Sequence, residues 1–278
     1  MRDNEGGVGI ALQLSNAASL CSNQIMPKPA ILITGAARRL GAAVAESFGA
    51  QGWHVVLHYG NSAREAEALA ERLPSAETIH CDLADSLASS QMVERLALRL
   101  DDWRVLVNCA AIFRPDDVTA LDSATYDRSM AINAKTPLRM AQTFLRLARS
   151  KRGRTVIQFT DQKLENTNPD FFSYTLSKHA VAGALPMLAM GAAWPEDRIY
   201  GLAPGAILPS HDQTEDETEI SHRLNLLARK TGADEIANAC LFLAEGHLAS
   251  GETLFIDSGQ HLLRQPRDVI YLAREQMA

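Results

Sequence analysis

The feature that most constrains this chain is an alternation that begins at Pro29: short runs rich in apolar residues, separated by longer amphipathic ones. Ala30 to Ile33 is apolar at every position and ends in Thr34-Gly35, which predicts a strand buried on both faces. The same pattern predicts strands over 53–58, 77–81, 105–107, 155–159, 198–202 and 254–257. Helical spacing is predicted over 40–51, 62–73, 87–100, 123–149 with a bend near Pro137, 173–193, 221–229 and 234–243. Strands apolar on both faces need helices on both, and right-handed crossovers then give a doubly wound α/β fold on a seven-stranded parallel sheet.

No repeat, low-complexity tract or Gly/Pro-rich linker interrupts residues 26–263, so they are expected to form one Rossmann-like domain. Residues 1–25 are polar and weakly patterned. They are expected to be a flexible extension, or sequence upstream of a true start at Met26; they lack the basic segment and apolar core of a secretory signal. Residues 264–278 form a tail, read as a short helix that crosses a subunit contact or covers a neighbouring site. The stretch from Gly205 to Glu219 is acidic and aperiodic. It is read as a mobile loop over the site, or as a solvated charged loop without a role.

The net charge is −6, which argues against nucleic-acid or anionic-membrane partners, and no run reaches the roughly 18 apolar residues of a membrane span. The four cysteines form no C-x-x-C pair and suggest neither disulfides nor a metal site, so a reducing, cytoplasmic setting is expected.

Thr34-Gly35-Ala36-Ala37-Arg38-Arg39-Leu40-Gly41 joins the first strand to the first helix, where this fold binds pyrophosphate. Arg39 stands where the usual fingerprint has its middle glycine. Two arginines at a helix N-terminus oppose the macrodipole, unless a bound anion explains them. The second strand runs out at His58-Tyr59-Gly60-Asn61-Ser62 without the acid that an NAD enzyme uses for ribose, so NADPH is expected over NADH. Asp82-Leu83, after the third strand, is placed to meet adenine; Asp82 serves equally as a helix cap.

Tyr174 and Lys178 share one face of a predicted helix. An ammonium beside a phenol stabilises the phenolate and lowers its pKa from near 10, which suits proton delivery during hydride transfer.

Together, Thr34–Gly41, Asn108-Cys109-Ala110-Ala111, Asn133, Tyr174-Thr175-Leu176-Ser177-Lys178 and Pro204-Gly205 resemble the ordered motifs of the short-chain dehydrogenase/reductase family, over about Ile31 to Gly259. The resemblance implies Tyr174 as acid–base, Lys178 on the nicotinamide ribose, and Asn133 holding a relay water. It also implies a cofactor cleft lined by Gly35, Arg38, Arg39, Leu40, His58, Tyr59, Ser62, Asp82, Leu83, Asn108, Ala110, Pro204 and Gly205, and a homotetramer packed through the two long helices.

Where the family usually places serine before the tyrosine, this chain has Thr160-Asp161. A carboxylate there repels a developing oxyanion but accepts hydrogen bonds from a substrate bearing N–H groups. With Arg38-Arg39, His58-Tyr59 and Phe113, this resembles the pteridine reductases of the family. The resemblance implies that Phe113 stacks on the pteridine ring, that Arg39 touches substrate and cofactor phosphate, and that Asp161 and Tyr174 share the proton transfers. Phe113 also reads as a packed loop hydrophobe. Two further readings stay open: a carbonyl reductase in which Thr160 or water replaces serine, and an NADP-binding regulator without catalysis.

Overall fold

A computed structural model describes residues 28–210 and 212–278; the proposed extension over 1–25 and Met26 lie outside them. The elements alternate as expected: β1 (Ala30–Ile33), α1 (Arg39–Ala50), β2 (His54–Tyr59), α2 (Ala63–Arg72), β3 (Ala76–His80), α3 (Ser86–Arg99), β4 (Trp103–Asn108), α4 (Ser123–Ser129), α5 (Thr136–Leu147), β5 (Thr155–Phe159), α6 (Phe172–Gly191), β6 (Arg198–Pro204), α7 (Glu215–Ser221), α8 (Ala233–Ala244), β7 (Thr253–Ile256) and α9 (Val269–Met277). One seven-stranded sheet runs β3-β2-β1-β4-β5-β6-β7, all parallel.

Strand alternation divides the core in two. Ile31 and Ile33 of β1 join a cluster with Val44 and Phe48 of α1 and Ile236 and Leu243 of α8. Leu32, one residue out of phase, joins Met92 and Leu96 of α3 and Phe144 of α5 on the other face. β2 and β4 flank β1, so strand order reverses beside β1. The crevice at the carboxyl ends of β1 and β4 is the binding position of such a sheet. At the opposite end, Arg154 grips Asp197 through two bonds of 2.9 and 2.6 Å and ties the start of β5 to that of β6. Among the described residues, no helix is long and apolar enough to cross a membrane.

Three segments depart from the sequence expectation. The helix predicted over 123–149 is α4 and α5 joined by a π-helical stretch, Met130–Lys135, and it stops at Leu147. Pro137 lies in the first turn of α5 and has no N–H to offer the Asn133 carbonyl, which accounts for the widened turn. The acidic loop contains α7. Thr214 and Glu217 form a reciprocal capping box, and Glu215, Asp216 and Glu217 fill a first turn that favours negative charge. The helix predicted over 221–229 is instead a series of turns, with Ala228 in the left-handed region at φ 49°.

Candidate active site

The turn after β1 is built by close approach. Gly35 sits at φ 67°, and a Cβ there would lie 3.1 Å from the Ala110 Cα. Arg39 also adopts a left-handed conformation, φ 60°, so an arginine makes the bend that glycine makes at lower cost. Its guanidinium donates to the carbonyls of Pro209 (2.8 Å) and Leu208 (3.3 Å), spanning from this turn to the β6–α7 connection. Burial and neighbouring Arg38 lower the Arg39 pKa, so an anion there would relieve it.

A cleft of about 310 Å³ opens on this turn. Gly35, Arg38, Arg39, Leu40 and Gly41 form one wall, with Tyr59, Ser62 and Ala110 around it; among the described residues no acidic side chain lines it. Ser62 precedes α2 without capping it, which leaves its hydroxyl to the cleft.

Several residues expected at the cofactor also hold the scaffold. His58 is 2% exposed; its Nδ1 accepts the Gly35 N–H at 3.2 Å and its Nε2–H donates to the Cys81 carbonyl at 3.0 Å. Burial drives its pKa down to about 4, so it is a neutral strut and not a cation for phosphate. Asp82 and Leu83 do not line the cleft. Asp82 turns back on the Ala84 N–H, Leu83 is buried in the core, and the cap of α3 is Asp85. Asn108 is buried and donates to the Pro137 carbonyl (3.1 Å), so Cys109, Ala110 and Ala111 form that wall in its place. Pro204 ends β6 without lining either cavity, whereas Gly205 does line the second.

That second cavity, about 220 Å³, adjoins the first through Arg39 and Leu40. It gathers Phe113, Asp161 and Tyr174. The Tyr174 phenol donates to Asp161 Oδ2 at 2.6 Å, and Asp161 Oδ1 accepts the Lys163 N–H at 2.9 Å. Lys178 is buried, donates to the Phe159 carbonyl at 2.5 Å and lies 5.7 Å from the Tyr174 ring centroid. Burial lowers the lysine's pKa. The tyrosine departs from expectation: burial and the Asp161 charge push its phenol well above the usual range, not below it. The aspartate contact and desolvation outweigh the lysine. Asn133 lies in the π-helical stretch. Its side chain accepts from the Ile112 N–H (2.8 Å) and donates to the Ile112 carbonyl (2.9 Å) and to Ser177 Oγ (3.1 Å). Both amide hydrogens are spent on positioning, so a relay water would have to use an oxygen.

Phe113 stacks on Phe171 (3.9 Å, 19°) and meets Tyr174 edge-on (4.7 Å). Phe171 sits at φ 54° at the head of α6. Thr160 is 3% exposed, its hydroxyl is buried without a partner, and it does not line the cavity. It therefore does not take the place of the missing serine.

Sequence reading missed Lys163, Phe171, His222, Asp268 and Tyr271. All but Phe171 and Tyr271 line the cavity directly; those two extend the aromatic wall behind Phe113. His222 follows α7 and Asp268 caps α9, so their signals lie in a stretch expected to be a helix over 221–229 and in the C-terminal tail.

Residues 35–261 match the family described as Enoyl-(Acyl carrier protein) reductase. The chain is 25% identical to Pteridine reductase 1 of Leishmania tarentolae, over 85% of this chain and 97% of that one. It is 26% identical to the 3-oxoacyl-[acyl-carrier-protein] reductase FabG of Escherichia coli, over 84% and 97% respectively. Among solved structures, FolM Alternative dihydrofolate reductase 1 from Brucella canis, complexed with NADP, superposes with a TM-score of 0.80 at 33% identity, covering 86% of this chain and 96% of that one.

Proposed function

The chain belongs to the short-chain dehydrogenase/reductase family, and from that premise we propose that it is an NADPH-dependent reductase of a pteridine ring: a pterin, a dihydropterin or a dihydrofolate-like compound. The observation that carries the reading is the 2.6 Å hydrogen bond from Tyr174 to Asp161 inside a cavity walled by Phe113. The residues fit the cofactor. Gly35 leaves the turn open where a side chain would fill it, and Arg38 and Arg39 face the cleft, with Glu65 3.7 Å from Arg38 as the carboxylate a 2′-phosphate would displace. NADPH, when bound, supplies the hydride, which goes to the carbon of a ring C=N.

The chain's own residues manage the proton. Tyr174 stays a phenol at neutral pH and holds its O–H for the ring nitrogen beside the reduced carbon. Loss of that proton would leave two negative charges side by side. Asp161 therefore serves best as the acceptor of a substrate N–H, or as a partner sharing one proton with Tyr174. Lys178, buried one turn along α6, offsets charge on the phenolate. Phe113 offers a flat face to a flat ring.

The likeness to FabG favours a second reading, reduction of a 3-oxoacyl or other carbonyl group. It requires a neutral donor beside Tyr174, and the hydroxyl of Thr160, just after β5, is buried and is not part of the cavity wall. The deciding experiment follows NADPH oxidation with biopterin, dihydrobiopterin, dihydromonapterin and dihydrofolate beside simple ketones and 3-oxoacyl thioesters. Turnover confined to the pteridines upholds the proposal, and turnover of ketones alone overturns it. The same reading takes the enzyme to be a cytoplasmic homotetramer packed through α5 and α6. The exposed Met187 and Met190 on α6 support this, and light scattering would measure it.

A further inference from the structure

We propose that Asp268, at the head of the C-terminal helix α9, is a specificity-determining residue of this site. Its Oδ2 accepts an N–H of the ring's 2-amino group, and so selects a 2-amino pteridine over its 2-oxo counterpart. The inference rests on the pteridine reading above and adds the edge of the ring that is read.

Asp268 lines the same cavity as Asp161, Tyr174 and Phe113. Capping does not explain why it is an aspartate. One oxygen, Oδ1, caps α9 by accepting the Ile270 N–H at 3.1 Å, and serine, threonine or asparagine would do the same without burying a charge. The other oxygen, Oδ2, has the Lys163 ammonium at 3.5 Å, a long contact, because Lys163 gives its short bond, 2.5 Å, to the Asp170 carbonyl. Oδ2 thus retains acceptor capacity in a cleft where its side chain is 13% exposed. Burial, followed by the nearby Asp161, holds the Asp268 carboxyl above its usual range despite Lys163, and donated hydrogen bonds would relieve that.

The placement is rigid. The Asp268 N–H donates to Asp170 Oδ2 (2.7 Å), Arg267 Nε donates to the same oxygen (2.9 Å), and Arg274 ties α9 to Glu217 of α7 (2.8 Å). A fixed carboxylate oxygen in the wall of a cavity that also holds Phe113 matches a substrate N–H donor. A 2-oxo substrate would instead set a carbonyl oxygen against Oδ2, which Lys163 holds only at 3.5 Å, and a polar site discriminates strongly against such a mismatch.

The test compares kcat/KM for dihydrobiopterin and for its 2-oxo analogue, in the wild type, in Asp268→Asn and in Asp268→Ser. Both variants keep a capping side chain and remove the charge, and their melting temperatures are measured alongside. The wild type should favour the 2-amino substrate by about tenfold or more. Both variants should lose most of that ratio, chiefly through a raised KM for the 2-amino compound. A ratio unchanged in both variants overturns the inference and leaves Asp268 as a cap. Equal turnover of the two pteridines by the wild type overturns it too, with the pteridine reading intact. Turnover of ketones and of neither pteridine overturns both.

Discussion

Tyr174 donates its phenolic hydrogen to Asp161 Oδ2 at 2.6 Å, although the two come from different elements: Asp161 follows β5 and Tyr174 lies in the first turn of α6. The pair separates the two candidate chemistries. A carboxylate here hinders a carbonyl reductase and serves a ring that brings N–H groups. Asp161→Ser should therefore reduce pteridine turnover by about 10²- to 10⁴-fold, the usual worth of a positioned acid–base group, while ketone turnover holds or rises. Tyr174→Phe should abolish both, with NADPH affinity by fluorescence titration little changed. Retained pteridine turnover in Asp161→Ser would remove the aspartate from the chemistry.

His58 makes stability depend on pH. In the folded protein it titrates at about 4, against 6.5 for an ordinary histidine. Between those values the unfolded chain takes up a proton that the folded chain refuses. The stabilisation is complete above about pH 6.5 and is lost as pH falls toward 4, for a total of about 3 kcal/mol. Melting temperatures of the wild type and His58→Asn, measured from pH 7 to pH 4, should diverge at neutral pH and converge in acid. Parallel curves would show that His58 is not the titrating group.

Much of this was legible in the sequence because the signals were local. Thr34–Gly41 announces a phosphate turn by its small residues and position, and Tyr174–Lys178 by its helical spacing. The strand expected over 155–159 is β5 to the residue, although Gln158 interrupts its apolar run. What sequence did not show depends on partners far along the chain. That His58 faces inward is decided by the Gly35 amide and the Cys81 carbonyl, which only the fold brings together. The elevated Tyr174 pKa depends on burial that spacing does not encode. Asp268 lies 105 residues from Lys163 along the chain, and its role emerges only once α9 folds back over the cavity. The acidic run over 215–219 conceals a helix because its lack of apolar periodicity suggests a loop, whereas Glu215, Asp216 and Glu217 are the favourable first turn of α7.

Arg154 and Asp197 are buried, with side chains 7% and 1% exposed, and they pair at the end of the sheet remote from the cavity. Removing one partner strands the other charge. Asp197→Ala should cost about 3–5 kcal/mol in denaturant unfolding. The double variant Arg154→Met with Asp197→Leu should recover much of that loss, since no lone charge remains. At a stable temperature, neither change should alter KM for NADPH. A single variant that unfolds like the wild type would mean that water replaces the lost partner.

Gly35 ties the fold to the cofactor. Its φ of 67° costs an L-residue about 1–2 kcal/mol, and a Cβ would lie 3.1 Å from the Ala110 Cα and 3.2 Å from its Cβ, tighter than ordinary contact. The strain is released by shifting the turn away from Ala110, which moves the residues that line the cleft. Gly35→Ala should therefore lose more in NADPH affinity than in stability: a fall of a few degrees in Tm, but a rise of tenfold or more in Kd, about 1.4 kcal/mol for each tenfold. Because Arg39 sits on the same turn and reaches the Leu208 and Pro209 carbonyls, KM for the second substrate should rise as well. A variant that binds NADPH normally while melting early would place the cost in the scaffold alone, and would separate the turn's structural role from its role at the phosphate.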